Sequence, residues 1–378
     1  VERIEREQAD YLFIILIILL TGIGMSFLFS ASYYHSEKLG HGPLNLFNKQ
    51  LVFAALGFVA LIVFSRLPLL YLQRAVPFLV IATFLLALLP FIPGVGREIN
   101  GARRWISFFD YTFQPSELIK FTVVIYIASI LQKKEDRLDE PVKTLLPPLI
   151  VVFAFAAIIV FQNDLSTAFF IVFVAFSMFF VARVRFVYFL YIGTPLALLG
   201  SLVIFTKAYW IEKIVTYFDP TRDPFRAGFQ MHHSRLAFEL GGILGRGVGM
   251  STQKLGYLPE ADSDFIFAVA GEEIGFLGLA ALVVLFALFA LRGYSIAFKS
   301  KDNFSYYVGF GLTTTIFLQA ILNMLVTAGL VPATGMPLPF FSLGGSAMLL
   351  TLVMCGVLIN ISRSRDAGGW SFGGYGRG

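Results

Sequence analysis

The stretch YLPEADSDFIFAVAGEEIG, Tyr257 to Gly275, sets Glu260, Asp262, Asp264, Glu272 and Glu273 around the start of an apolar run that continues almost unbroken to Leu291. A run of that length crosses a bilayer, because about 20 apolar residues cover about 30 Å of hydrocarbon. Pro259 and the polar residues before Phe265 put the helix start near Asp264. Ser263 or Asp264 then reads as a helix cap that accepts from free N–H groups; alternatively, Asp264 is a functional carboxylate. A cap does not account for Glu272 and Glu273. Eight residues on is about 12 Å deeper along a helix and about 80° around it. Ionisable groups at that depth face a polar cavity or a partner. Glu273 falls nearly opposite Asp264, so the two glutamates do not line one wall, and one of them reads as a structural ion-pair partner.

The rest of the chain sets the same frame. Of 378 residues 57% are hydrophobic and only 14% charged, where a soluble domain carries about a quarter charged residues. That excludes a soluble globular core and predicts an all-α polytopic membrane protein. About ten spans are expected: 11–31, 50–65, 75–92, 115–132, 146–162, 165–182, 186–206, 265–291, 305–331 and 340–361. The run Tyr11 to Phe29 reads as a signal anchor, too long for a cleaved signal. Cys355 sits alone in an apolar run, and His35, His41, His232 and His233 lack zinc-ligand spacing. Residues 1–362 read as one transmembrane domain with an extracytoplasmic loop at 207–264. The tail 363–378 is Gly-rich.

Orientation follows from the short loops. Arg66, Arg74, the basic residues from Lys133 to Lys143, Arg183, Arg185, Arg292 and Arg363 share one side, which the positive-inside rule makes the cytoplasm. Both termini are then cytoplasmic. Two outer segments nonetheless carry cations. Pro93 to Gln114 holds Arg103 and Arg104; the 207–264 loop holds Arg226, Arg246 and Lys254. Either a long loop escapes the charge rule, or these cations meet an anionic ligand, for which Arg suits phosphate.

Three more segments bring polar groups to the same face. FQPSELIKF (113–121) starts a span with Pro115 near its first turn and sets Glu117 and Lys120 at i,i+3. They form an internal salt bridge or line a ligand site. FQNDLSTAFF (161–170) puts Asp164 at an outer turn, as a cap or a site residue. TGMPLPFFSLGGSAM (334–348) breaks the helix between the last two spans, and broken backbone at membrane depth is buried or lines a cavity.

NGARRWI, QPSELIKF, QNDLSTA, HSRLAF, QKLGYLPEADSDFIFAVAGEEIGFLG and GMPLPFFSLGGSAM, in that order, resemble the signatures of the SEDS family (shape, elongation, division and sporulation) of the FtsW/RodA type. Two departures stand out: Asp262-Ser263 where members often have His-Thr, and Asp164-Leu165-Ser166-Thr167 where they often have Asp-Leu-Gly-Thr. The resemblance implies a peptidoglycan glycosyltransferase that polymerises lipid II at the outer face of the bacterial cytoplasmic membrane. It also implies a class B penicillin-binding protein and other division or elongation membrane proteins as partners, and no nucleic acid. The family's essential Asp corresponds to Asp264, and Glu117, Lys120 and Asp164 match its cavity residues.

An inverting transfer needs a base on the acceptor hydroxyl, and Asp264 is the candidate. A pyrophosphate leaving group needs positive charge, which Arg103, Arg104, Arg226, Arg246 and Lys254 would supply with or without a divalent cation such as Mg or Mn. Asp262 and Asp264 are the candidate cation ligands. Ser234, Glu260 and Ser342, from the matching motifs, complete the candidate substrate-binding set. The rival reading is a lipid II flippase. A flippase needs polar groups through the whole depth, whereas a polymerase needs a cavity confined to the outer half.

Overall fold

The computed structural model describes residues 8–40, 42–99, 101–108, 110–134, 141–185 and 227–363, with a few isolated helical positions between 187 and 218. The expected span at 186–206, Arg226 and the tail beyond 363 therefore lie outside the described residues, or almost wholly so. The chain is mostly helical. The helices among the described residues are α1 (Tyr11–Lys38), α2 (Asn45–Phe64), α3 (Leu69–Arg74), α4 (Val76–Leu88), α5 (Pro115–Lys133), α6 (Pro141–Phe161), α7 (Leu165–Val181), α8 (Ala227–Gly241), α9 (Ile266–Phe298), α10 (Asn303–Thr327) and α11 (Gly345–Ser362). Six of them (α1, α2, α5, α9, α10 and α11) are long and apolar enough to cross a membrane, and α4, α6 and α7 are shorter apolar helices. This is a multi-pass membrane protein.

The all-α expectation needs one correction. Residues between α4 and α5 form a three-stranded antiparallel sheet, β1 (Gly96–Ile99), β2 (Ala102–Phe108) and β3 (Tyr111–Phe113), in the order β1-β2-β3. Trp105, Ile106, Tyr111, Thr112 and Phe113 are aromatic or β-branched, the residue types that fit a pleated surface. The 207–264 loop likewise contains a helix, α8, packed on α9 and α10.

Burial orders the bundle. The apolar stretches of α5 and α11 are 78% and 83% buried, against 17% for α2, so α5 and α11 are central and α2 is peripheral. Phe13, Phe155, Phe286, Phe289, Phe340 and Phe341 are among the largest fully buried side chains. The exposed Leu, Ile, Val and Phe of α1, α2 and α9 suit a lipid-facing surface, where backbone hydrogen bonds must close within the helix.

α9 breaks that rule at one point and is repaired there. Gly275 has φ 67 and ψ −172, which interrupts the helix and which only glycine adopts without strain. The N–H groups released by the break do not go unsatisfied. Phe276 N donates to Gly242 O at 2.9 Å and Leu277 N to Ile243 O at 3.1 Å. The segment after α8 therefore docks directly on the break.

Candidate active site

Three acidic segments, far apart in sequence, meet at one end of the bundle. In α5, Pro115 fixes the first turn, and Glu117 and Lys120 follow on one face. Lys120 Nζ donates to Glu117 Oε1 at 2.8 Å and to Gln319 Oε1 at 2.6 Å. Both charges of the pair are buried; such a pair persists because each charge is neutralised and hydrogen-bonded. At α7, Asp164 divides its two oxygens. Oδ1 accepts from Thr167 N at 3.2 Å and caps the helix; Oδ2 accepts from Arg104 Nη1 at 2.9 Å. The structural and site readings of Asp164 are thus compatible, one oxygen serving each.

Asp264 differs. α9 begins at Ile266, and Phe265 occupies the cap position without a side-chain cap bond. Asp264 is therefore not the helix cap. What fixes it is its backbone: its carbonyl accepts from Asn323 Nδ2 at 2.8 Å, and the same amide reaches Met336 O at 2.9 Å. Gln319, one turn away on α10, donates to Pro337 O at 2.8 Å. The two residues before Asp264 are held the same way. Leu343 N donates to Asp262 O at 2.8 Å, and Ser342 Oγ to Ser263 O at 2.6 Å. Three successive carbonyls are thus fixed by α10 and the 336–343 segment. The Asp264 side chain takes no part in these ties.

Gly335 shows where that side chain points. Its φ is +71, and a Cβ on it would stand 3.6 Å from Asp264 Oδ2 and 3.9 Å from Arg104 Nη2. A carboxylate and a guanidinium therefore flank one glycine. Arg104 Nε is buried and meets no acceptor among the described residues. The guanidinium, which also lies 4.4 Å over the Trp105 ring, keeps donor capacity for an anion.

The other sequence candidates stand elsewhere. Arg103 neighbours Arg104 on β2, but alternation along a strand turns it to the opposite face; it pairs with Glu98 at 2.8 Å on the surface. Arg246 and Lys254, expected to meet pyrophosphate, are engaged by the two glutamates of α9. Arg246 Nη1 donates to Glu272 Oε1 at 3.0 Å and Lys254 Nζ to Glu273 Oε1 at 2.8 Å. Glu272 also accepts from Ser251 Oγ, Thr252 N, Thr252 Oγ1 and Gln253 N. Both glutamates, not one, are structural partners, and what they hold is the segment docked on the α9 break. Ser234 is buried and donates to Thr327 O, fastening α8 to α10. Ser342 is buried between the Leu338 N–H and the Ser263 carbonyl. Glu260, at φ 55, accepts from Ser263 Oγ at 2.7 Å.

Asp262 is expected beside Asp264 as a cation ligand. It is buried, and its Oδ2 lies 2.7 Å from His35 Nδ1. Among the described residues no group of three or more His, Cys, Asp and Glu is placed to hold a metal, so this donor set does not fit a protein-built cation cage.

Sequence reading missed Gln50, Gln319, Asn323 and His35. Gln319 and Asn323 had a signal: two amides at i,i+4 inside an apolar span. Gln50, whose amide holds both Ser342 O and Gly344 N, and His35 had none.

A family model described as "Cell cycle protein", covering FtsW, RodA and SpoVE, matches residues 10–367. The chain is 37% identical over 364 residues to the probable peptidoglycan glycosyltransferase FtsW of Geobacter sp. (strain M18), covering 96% of this chain and 99% of that one. It is 35% identical to stage V sporulation protein E of Bacillus subtilis, covering 95% and 98%. It superposes with a TM-score of 0.76 and 26% identity, over 95% of this chain and 99% of the other, on a solved structure from work on how a peptidoglycan synthase complex coordinates polymerization and crosslinking. Matching fold, motifs and nearly full-length sequence place the chain in the FtsW/RodA/SpoVE family, the SEDS family that its motifs resemble.

Proposed function

We propose that this protein is a peptidoglycan glycosyltransferase that polymerises lipid II into β-1,4-linked glycan strands, with Asp264 as its base. The single observation that carries the site is that Asp264 Oδ2 and Arg104 Nη2 both lie within 4 Å of where a Cβ on Gly335 would stand. The relatives named FtsW support the reaction class and favour a role in division. The 4-hydroxyl oxygen of the incoming lipid II GlcNAc attacks C1 of the MurNAc at the end of the growing strand. Its proton passes to Asp264, the C1–O bond to pyrophosphate breaks, and undecaprenyl pyrophosphate leaves with the electron pair. Attack from the opposite face inverts C1. Arg104 stabilises the departing charge, and the Lys120–Glu117 pair with Gln319 supports the segment behind it.

The topology that goes with this reading has ten spans, both termini in the cytoplasm, and the site on the extracytoplasmic side of the inner membrane. A class B penicillin-binding protein is the expected partner, in keeping with a neighbour solved as a synthase complex. A divalent cation would enter as companion of the substrate's pyrophosphate, not in a cage built by this chain's carboxylates, and a chelator titration tests for it.

Charge distribution supports polymerisation over flipping. The buried charged side chains among the described residues are Asp10, Glu117, Lys120, Asp164, Lys254, Asp262, Glu272 and Glu273. All but Asp10 stand at the Asp264 end, and Asp10 caps α1 and pairs with Arg292 at the other. Among the described residues no buried charged side chain lies between these two groups to carry a pyrophosphate-sugar head group. The test is purified protein with lipid II, assayed together for glycan polymer and for lipid scrambling. Polymer without scrambling is expected; scrambling without polymer would overturn the reading.

A further inference from the structure

The end of α1 nearest Asp264 lies along the segment that leads into that residue. Ser30, Tyr34 and His35 lie in the last turns of α1, Tyr34 one turn beyond Ser30 and His35 the next residue around the helix. Ser30 Oγ accepts from Lys254 Nζ at 2.6 Å and donates to Glu273 Oε1 at 2.7 Å. The Tyr34 ring lies against Gly256, where a Cβ would meet its Cε1 at 3.0 Å. His35 Nδ1 lies 2.7 Å from Asp262 Oδ2. The three contacts run in the same order along both stretches, from Lys254 through Gly256 to Asp262.

The last contact is the one nearest the chemistry. The carbonyl ties of Asp262, Ser263 and Asp264 come from α10 and the 336–343 segment; the His35 contact secures the same tripeptide from α1, a third direction. Asp262 is 2% exposed while His35 is 45% exposed, so the imidazole reaches in from solvent to a carboxylate that burial would otherwise leave costly. Glu260 and Lys38 are the other charged groups acting on His35.

We propose that the site end of α1 is a rail that positions the Asp264 segment, with His35 as its terminal positioning residue, acting on Asp264 through Asp262. The inference rests on Asp264 being the reacting carboxylate. A displacement of about 1 Å at a reacting group costs on the order of 100-fold. With the three carbonyls still held, His35→Ala costs less, about 5- to 20-fold in turnover. KM is expected to stay unchanged, because the contact acts on the position of the reacting carboxylate.

The experiment measures kcat and KM of lipid II polymerisation by the purified full-length chain, with thermal unfolding alongside. The variants are His35→Ala, His35→Gln, Asp262→Asn, the exchange His35→Asp with Asp262→His, and Asp264→Asn. His35→Ala is expected to lower kcat at constant KM. His35→Gln, which keeps a donor toward Asp262, and the exchange, which keeps the pair, should each recover most of the loss. Wild-type kcat in both His35→Ala and Asp262→Asn overturns the rail. So does a loss that neither His35→Gln nor the exchange recovers and that follows a fall in unfolding temperature, since that marks a role in folding alone. A changed magnesium requirement in Asp262→Asn but not in His35→Ala also overturns it, by making Asp262 a cation ligand. Activity in Asp264→Asn sinks the catalytic reading itself, whatever the His35 variants do.

Discussion

Asp164 and Asp264 look alike in sequence: each stands immediately before an apolar helix, in a turn rich in polar residues. The structure uses them differently. Asp164 caps α7 with one oxygen and holds Arg104 with the other. Asp264 does not occupy the cap position of α9; Asn323 holds its carbonyl, and its Oδ2 lies beside Gly335, as does Arg104 Nη2. The first carboxylate serves a helix end and a cation, and the second lies beside a glycine of the 334–343 segment. An acidic helix start in a membrane is therefore not one kind of feature. The backbone around it decides whether the side chain is structural or chemical.

Replacing the two by asparagine should separate them most widely. Asp264→Asn removes the base while the carbonyl tie to Asn323 remains. Polymerisation should fall about 10²- to 10⁴-fold, with unfolding temperature unchanged. Near-normal polymer yield from that variant would erase the distinction between the two residues. Asp164→Asn keeps a good helix cap but leaves Arg104 without its countercharge. Activity should fall about tenfold through mispositioned Arg104, and unfolding temperature should fall as well, because breaking a largely buried pair is destabilising. Asp164→Ala adds loss of the cap, about 1 kcal/mol more. If Asp164→Asn cost activity with no loss of stability, Asp164 would belong with Asp264 on the chemical side.

The same contrast applies to the cations. Arg104, paired with Asp164, stands beside Gly335 and the proposed base, whereas Arg246 and Lys254 are held by Glu272 and Glu273. Glu272→Gln should release the segment docked on the α9 break. It removes one charge from a buried centre that accepts five hydrogen bonds, and a loss of about 2–4 kcal/mol is expected. The measurement is thermal unfolding in detergent beside a salt titration of KM. Arg104→Ala should make lipid II use more dependent on salt, and Glu272→Gln and Arg246→Ala should not. An equal salt response in Arg246→Ala would return Arg246 to the substrate.

These cases show what was legible. Helix-period apolar runs located the six long helices, because bilayer thickness sets their length. Glu117, Lys120, Asp164 and Asp264 stood out because charges are rare in such runs. Other features could not be read. Whether Asp264 caps α9 depends on one residue of backbone geometry, which Phe265 occupies instead. Whether a basic loop serves a ligand depends on what lies across from it. Arg246 and Lys254 read as free cations because their partners lie 26 and 19 residues away, on a helix whose break at Gly275 receives their segment. The β-sheet was obscured by the length of the connection in which it lies.

Arg103 gives the smallest expected effect and the finest test of the comparison. It is the residue next to Arg104, in the same motif and of the same charge. Strand alternation sends the two side chains to opposite faces, Arg103 to Glu98 at the surface and Arg104 to Asp164. An exposed pair such as Arg103–Glu98 contributes about 0–1 kcal/mol, so Arg103→Ala should leave stability, kcat and the salt dependence of KM within error of wild type. Arg104→Ala should change all three. A loss in Arg103→Ala as large as that in Arg104→Ala would mean that the hairpin as a whole meets the substrate, and that the guanidinium at Gly335 is not what distinguishes the site.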